Sequence, residues 1–493
     1  MSDRRALLIV LDGAGYSTDP AGNGVTPETL PTVFSAMEEH GFAILKAHEG
    51  AVGLEPGQVG NSEVGHLTLG AGRVVLSMTC RLADAYERGT WAAHPAWEKI
   101  AAGGVLHLVG LLSDAGVHGL VRTIEHAATI ASEKGVGEIV IHPVLDGVDA
   151  RAGSAPDLLR GLQAAVADLP NVSFGVVHGR KTFCDRSGDL SLTAVSVDAI
   201  RGAEELPPFD MAELEAHVKD ASEMSFPARA MGPRRVADGE AVLITNNRAD
   251  RVRQVIDLFG KTQPVYTIID PGEGITPPEA IFFPIEKVTD GVASLLKEAG
   301  IRSSRVAEKC KFPHVTFFYN GFDAGSEGTG HQIPSVAEHE IAEKPEMGIA
   351  AVTEKLLELL ADPTERYIVA NLCNLDQVGH LGRLDLAAKA AAAVDASFAE
   401  IIAAAKQHGW SVVVTADHGC ADLVVAADGG PFGSHTDRPV PLFALPAPGT
   451  ALEWRGKDGT LANVAASCLS ALGLEVPERM EPALVAFVPE GGA

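Results

Sequence analysis

Short apolar runs rich in β-branched residues alternate with helix-length amphipathic stretches along almost the whole chain, and few architectures satisfy that alternation. A strand buried on both faces reads as a continuous apolar run, and joining two parallel strands needs a crossover, usually a helix. The pattern therefore predicts an α/β fold with mainly parallel sheets. Strands are expected at 6–11, at 105–112, 138–144, 172–177, 241–245 and 265–269 in a middle block, and at 367–372, 411–415 and 440–445 in a late block. Helices are expected at 120–134, 157–168 and 249–259, and the Ala-rich segment 386–407 reads as helix by propensity and length. A chain of 493 residues is too long for one ordinary core, so at least two domains are expected.

Charge narrows the partners. With 65 Asp+Glu against 39 Lys+Arg, the formal charge is −26, which argues against a general binder of nucleic acid or of an anionic membrane surface. No apolar stretch reaches the ~18–20 residues that span a bilayer. The six apolar residues after Arg4-Arg5 are too few for a secretory core, so a cytoplasmic protein is expected. The six cysteines are scattered and never form a Cys-x-x-Cys pair, so they read as reduced, mostly buried thiols.

Open parallel sheets carry their chemistry at the carboxyl ends of strands. Asp12 ends the first predicted strand, the segment 374–380 follows the strand at 367–372, and Asp417-His418 follows the strand at 411–415. One sheet built from the first and last blocks, with the middle block inserted, brings these ends together. Asp376 and His380 stand four apart, and His435 sits in Gly-Ser-His-Thr. Asp and His supply oxygen and nitrogen ligands suited to Mn²⁺ or Zn²⁺. A single Asp or His at a strand end is more often a cap, so the signal is the set. Ser62 lies in a glycine-flanked segment, 57–66, that leads into a helix. It either caps that helix or acts as a nucleophile, which needs a base or a metal to activate it. Arg180 and Arg186, then Arg248 and Arg251, follow middle-block strands, and Lys311 precedes Phe-Pro-His-Val-Thr. Arginine forks suit phosphate or carboxylate. His118 and Asp149 also follow strands and read equally well as loop-stabilising residues.

Taken in order, these motifs resemble the cofactor-independent (2,3-bisphosphoglycerate-independent) phosphoglycerate mutases of the alkaline phosphatase superfamily. The resemblance rests on Asp12-Gly13, Gly-Asn-Ser-Glu-Val-Gly-His at 60–66, Ser-Asp-x-Gly-Val-His ending at His118, and Asn-x-Arg-x-Asp-Arg at 246–251. Lys-Phe-Pro-His-Val-Thr-Phe-Phe from Lys311, Asp376-x-Val-Gly-His380, Thr-Ala-Asp-His-Gly at 415–419 and Ser434-His435-Thr436 complete it. It implies an alkaline-phosphatase-like parallel-sheet domain formed by both chain ends, 1–76 and 285–493, with an α/β phosphotransferase domain inserted at 77–284. It implies two metal ions, usually Mn²⁺ with other divalent metals possible, one held by Asp376, His380 and His435 and the other by Asp12, Ser62, Asp417 and His418. Ser62 would take the phosphoryl group of 3-phosphoglycerate while Lys311 neutralises its charge. His118, Asp149, Arg180, Arg186, Arg248 and Arg251 match substrate-holding positions, with Asp149 acting on a hydroxyl. Closure of the two domains would trap the glycerate until the phosphoryl group returns to its 2-hydroxyl. The implied protein is a monomer whose partner is a small phosphorylated hydroxy acid.

Departures from the family pattern fall in the middle block. The Asp-Gly-Arg-Asp turn reads Asp146-Gly147-Val148-Asp149, with Arg151 two residues on, and the usual Tyr-Tyr-Ala-Met before Asp-Arg reads Lys181-Thr182-Phe183-Cys184. Near the C-terminus, Met480-Glu481-Pro482 replaces Met-Thr-Gly. The metal and nucleophile set is intact, so a second reading stays open: a mutase or phosphatase of the same superfamily acting on another small phosphoester or phosphonate.

Overall fold

The run Arg5–Leu11 is fully buried from Ala6 onward, which places it in the middle of a sheet rather than at an edge. In the computed structural model, which describes residues 4–184, 188–323 and 328–491, this strand pairs in parallel with Tyr367–Leu372 on one side and Trp410–Thr415 on the other. The chain divides into two units, Met1–Ser77 with Glu286–Ala493, and Met78–Ile285.

In the first unit the sheet has eight strands in the order Thr329–Ile333, Ser303–Glu308, Tyr367–Leu372, Arg5–Leu11, Trp410–Thr415, Val440–Leu445, Phe42–Lys46, Asp458–Thr460. Val440–Leu445 runs antiparallel to both its neighbours and the other pairings are parallel. The Ala-rich segment forms the helix Leu384–Gln407, two residues longer at its start than expected. Its buried Ala390, Val394, Phe398, Ile401 and Ala405 recur every three to four residues, which is one helical face laid against the core. Burying a side chain such as Phe398 contributes about 1.5–3 kcal/mol. Ser303–Glu308 is a central strand despite its polar sequence. Its Arg305 is fully buried with the guanidinium stacked over the Tyr319 and Tyr367 rings, so packing supplies what hydrophobicity does not.

The second unit has its own eight-stranded sheet, parallel except where Arg229–Ala230 runs against Val176–Gly179. Val105–Leu112 and Glu138–Leu145 form its centre with a register of eight residue pairs. The single strand expected at 172–177 is two, Val172–Phe174 and Val176–Gly179. The break is Gly175, where a β-carbon would overlap the His142 ring. The helix expected at 249–259 starts as a tight 3₁₀ turn, Ala249–Arg251, and becomes α-helical only at Arg253–Gly260. Among the described residues, no helix is long and apolar enough to cross a membrane.

That sheet carries a buried imidazole chain. The Val176 N–H donates to His142 Nδ1 at 3.1 Å, so the His142 proton resides on Nε2. It points at His107 Nδ1, 3.0 Å away, and His107 Nε2 donates in turn to Glu240 at 2.9 Å. Both rings are wholly buried, and burial holds both below the ordinary imidazole value of 6.5. The unfolded chain therefore binds more protons than the folded one below about pH 6.5, and stability present above that pH is lost as pH falls. Unfolding free energies from denaturant titrations between about pH 7.5 and about pH 5.5 should fall with pH, by up to about 1.4 kcal/mol per pH unit for each ring. His107→Gln should flatten that slope; an unchanged slope would place the acid sensitivity elsewhere.

Candidate metal and phosphoryl centre

Strand register assembles the centre. Leu11 pairs with Leu372 and Val10 with Thr415, so Asp12 and Asp417 each follow their paired residues by two, and Asp376 lies in the first turn of the helix Asn374–Gly379. Gly13 makes the close approach possible: its φ is +79°, and a β-carbon would come within 2.7 Å of Asp376 Cα. Asp12, Asp376 and Asp417 are all buried.

Ser62 opens the helix Ser62–Ala71 but does not cap it. Asn61 does, its side chain accepting from the N–H groups of Glu63 and Val64 at 3.0 and 3.2 Å. The Ser62 hydroxyl is thereby free to face the centre, 2.5 Å from Lys311 Nζ, 2.9 Å from His418 Nε2 and 3.5 Å from Asp12 Oδ1. Lys311 also reaches Asp12 at 3.0 Å and Asp376 at 2.8 Å. One turn along, Gly65 admits Asp417, whose Cβ would lie 2.8 Å from any side chain there.

The histidines identify what this cluster binds. His380 Nδ1 donates to the Gly433 carbonyl at 2.9 Å and His435 Nδ1 to the Gly60 carbonyl at 2.7 Å. A carbonyl only accepts, so in each neutral ring the proton is on Nδ1 and the Nε2 lone pair faces inward. Those Nε2 atoms lie 3.3 and 3.2 Å from Asp376 Oδ1, an oxygen that accepts no hydrogen bond, and 3.3 Å from each other. Asp417 Oδ2 likewise accepts none. Lone pairs converging on buried carboxylate oxygens repel unless a cation lies between them. Three buried carboxylates face one ammonium. Burial, then the neighbouring Asp417, push the Asp12 carboxyl up despite Lys311. Asp417 escapes that fate because His418 and His66 outweigh its burial and hold its carboxyl well below the usual range. The donor set is oxygen and nitrogen, which suits a divalent cation of the manganese, zinc or cobalt kind.

All seven expected ligands, Asp12, Ser62, Asp376, His380, Asp417, His418 and His435, thus fall in one cluster with Lys311. Groups able to grip a cation are Asp376, His380 and His435 with Cys420, Asp12 and Asp376 with His418, and Asp12 and Asp417 with His66. His66 and Asn371 are additions. Asn371 donates to Asp12 Oδ2 at 2.6 Å and to His66 Nε2 at 3.1 Å, which leaves His66 Nδ1–H to donate to the Ser62 carbonyl at 2.9 Å, with Asp417 Oδ2 3.2 Å from the same nitrogen. Asn371 is hidden inside an apolar strand, but His66 ends the 60–66 motif and its i, i+4 spacing from Ser62 put it on the same helical face.

The second unit assembles a different set. Asp146 is buried and anchors its turn: it accepts the Ser113 hydroxyl at 2.6 Å and the N–H groups of Val148, Asp149 and Ala150. Arg180 lies against Asp146 and Asp149 at 2.5 and 2.6 Å, and His118 Nδ1 is 2.7 Å from Asp149. His118, Asp149 and Arg180 therefore meet, but Arg180 is 4% exposed and already doubly paired, so it orients Asp149 as much as it offers a free fork. Arg248 and Arg251 both pair with Asp250, at 2.9 and 3.4 Å, on a loop tied to the 113–118 loop by Asn247, which donates to the His118 and Gly116 carbonyls. Arg186 lies outside the described residues. Val148 is half exposed, and Arg151 lines a cavity of about 300 Å³ with Asp114, Glu125 and Asp157, whose lining does not include His118, Asp149 or Arg180.

A family model described as the Metalloenzyme superfamily matches residues 4–476. The chain is 32% identical over 503 residues to a 2,3-bisphosphoglycerate-independent phosphoglycerate mutase of Chromobacterium violaceum, covering 97% of this chain and 98% of the relative. It is 33% identical over 500 residues to the protein of that name from Streptomyces coelicolor, with 95% of each covered. Among solved structures, Leishmania mexicana phosphoglycerate mutase at low cobalt concentration matches with a TM-score of 0.73 and 28% identity, covering 98% of this chain and 97% of the other.

Proposed function

Because the chain belongs to the Metalloenzyme superfamily and, within it, to the 2,3-bisphosphoglycerate-independent phosphoglycerate mutases, we propose that it interconverts 3-phosphoglycerate and 2-phosphoglycerate through a phosphoserine on Ser62. The observation that carries this reading is the Ser62 hydroxyl itself: uncapped, buried, and within hydrogen-bond distance of both Lys311 Nζ and His418 Nε2.

The residues divide the work. Ser62 Oγ, its proton released to solvent, attacks the phosphorus of 3-phosphoglycerate, the bond from phosphorus to the C3 oxygen breaks, and the departing alkoxide takes a proton from the Asp149 carboxyl to become glycerate. The glycerate 2-hydroxyl then gives its proton back to the Asp149 carboxylate as it attacks the phosphoserine, and the bond from Ser62 Oγ to phosphorus breaks to restore the serine alkoxide. Asp149 is that proton carrier, held in place by His118 and Arg180. Lys311 offsets charge on the phosphoryl oxygens, and the positive end of the Ser62–Ala71 helix adds to it. Asp376, His380 and His435 would hold one metal ion and Asp12, Ser62, Asp417 and His418 a second, both Mn²⁺ in our reading. When bound, such ions lower the serine hydroxyl pKa and stabilise phosphoryl charge. Residues 1–76 and 285–493 thus act as the phosphatase-like part, and 77–284 as the part that holds glycerate through His118, Arg180, Arg186, Arg248 and Arg251. We read the protein as a cytoplasmic monomer.

The names of the relatives favour phosphoglycerate over another small phosphoester, the alternative that Val148 raised. Supplied with 3-phosphoglycerate and Mn²⁺, the protein should form 2-phosphoglycerate with no free phosphate. Phosphate release matching or exceeding isomerisation would make it a phosphatase instead.

A further inference from the structure

One strand away from Asp12, a second cluster of metal-binding groups plays no part in the proposed reaction. Ser303–Glu308 and Tyr367–Leu372 are parallel neighbours with Val306 opposite Ala370, so Glu308 and Cys373 leave the sheet at nearly the same level. Cys310 follows Glu308 by two residues and its Sγ lies 3.9 Å from that of Cys373. Ligand atoms of Glu308, Cys310 and Cys373 all lie within 4.8 Å of one another.

Three features make this more than a chance meeting. Two sulfurs bound tetrahedrally at ~2.3 Å from a zinc ion sit roughly 3.8 Å apart, close to the spacing here. Glu308 is 1% exposed; its Oε1 accepts the Gly348 N–H at 2.9 Å, while Oε2 has no donor in good geometry, only the Cys373 thiol and Ser335 hydroxyl close to the carboxylate. A buried carboxylate oxygen without a donor is costly unless a cation or proton meets it. Cys373 is buried whereas Cys310 is exposed, which gives an ion a way in. A hydrogen bond from Cys373 lowers the Cys310 thiol, whereas that same bond and burial push the Cys373 thiol up, so an ion entering the site displaces a proton held by Cys373.

We propose that Glu308, Cys310 and Cys373 form a binding site for a thiophilic divalent cation of the zinc class, chemically distinct from the Asp/His centre. Two thiolates select soft ions over manganese or magnesium, which prefer oxygen. Binding forms two metal–sulfur bonds and one metal–oxygen bond and releases the thiol protons to solvent. The ion would tie the backbone one residue before Lys311 to the residue that begins the Asn374–Gly379 helix.

The test uses reduced, full-length protein loaded with Mn²⁺ and titrated with Cd²⁺ as the probe. An ultraviolet thiolate-to-cadmium charge-transfer band should grow, saturate and be competed away by Zn²⁺. Cys420 also faces the Asp/His centre, so a Cys420→Ala variant supplies the control. The band should persist in Cys420→Ala and be lost in Cys310→Ser, a change at an exposed position that should fold normally. Zn²⁺ should in addition slow maleimide labelling of Cys310 in the unaltered protein. No band, a band unchanged in Cys310→Ser with Cys373→Ser, or a band that disappears with Cys420→Ala would overturn the proposal.

Discussion

Ser62→Ala is expected to lower turnover of 3-phosphoglycerate by on the order of 10⁴-fold or more, the scale on which removing a covalent nucleophile acts in other enzymes. The loss should be chemical rather than structural. Alanine is a good helix former, the Asn61 cap does not depend on the Ser62 side chain, and Lys311 keeps its contacts with Asp12 and Asp376. Circular dichroism and thermal midpoint should therefore stay close to those of the unaltered protein while kcat collapses. A variant that retains more than about a tenth of kcat would mean that phosphoryl transfer bypasses this hydroxyl.

Stripping the metal with a chelator should abolish activity and weaken the fold together. In the stripped protein, Asp12, Asp376 and Asp417 share one ammonium, and the inward lone pairs of His380 and His435 face Asp376 across 3.3 and 3.2 Å. That arrangement is repulsive unless the rings take up protons, as Asp376 favours at His380, so bound metal should contribute to stability most at higher pH. With free metal a hundredfold above its Kd, linkage alone supplies about 2.7 kcal/mol per site. The thermal midpoint should fall on chelation and recover with Mn²⁺, and activity should return with it. Full activity after exhaustive chelation would contradict the role given to the Asp/His cluster.

How much of this was legible before folding depended on whether a residue's role is local. Asp12 directly follows a buried apolar run and Asp417 stands two residues past the buried strand Trp410–Thr415, so their place at strand ends follows from periodicity alone. The central position of Arg5–Leu11, which brings both chain ends into one sheet, follows from the same runs. Roles created by packing were not legible. Asp146 looks like any turn aspartate until Ser113, Arg180 and three N–H groups close on it. Asn371 is one polar residue in an apolar strand, and its link between Asp12 and His66 exists only across strands. The strand Ser303–Glu308 escaped notice because Arg305 is accommodated by two tyrosine rings rather than by its neighbours in sequence. Whether Ser62 caps its helix turned on one adjacent side chain, Asn61, which takes that role instead.

The central claim is that the phosphoryl group rests on Ser62 between leaving one oxygen of glycerate and joining the other. The most direct measurement is to acid-quench the Mn²⁺ enzyme during turnover of 3-phosphoglycerate and map the phosphorylated peptide by mass spectrometry. The expected result is one phosphoryl group, on Ser62, present during turnover and absent from Ser62→Ala. A phosphoryl group on a different residue, or none on protein that is isomerising substrate at full rate, would contradict the account.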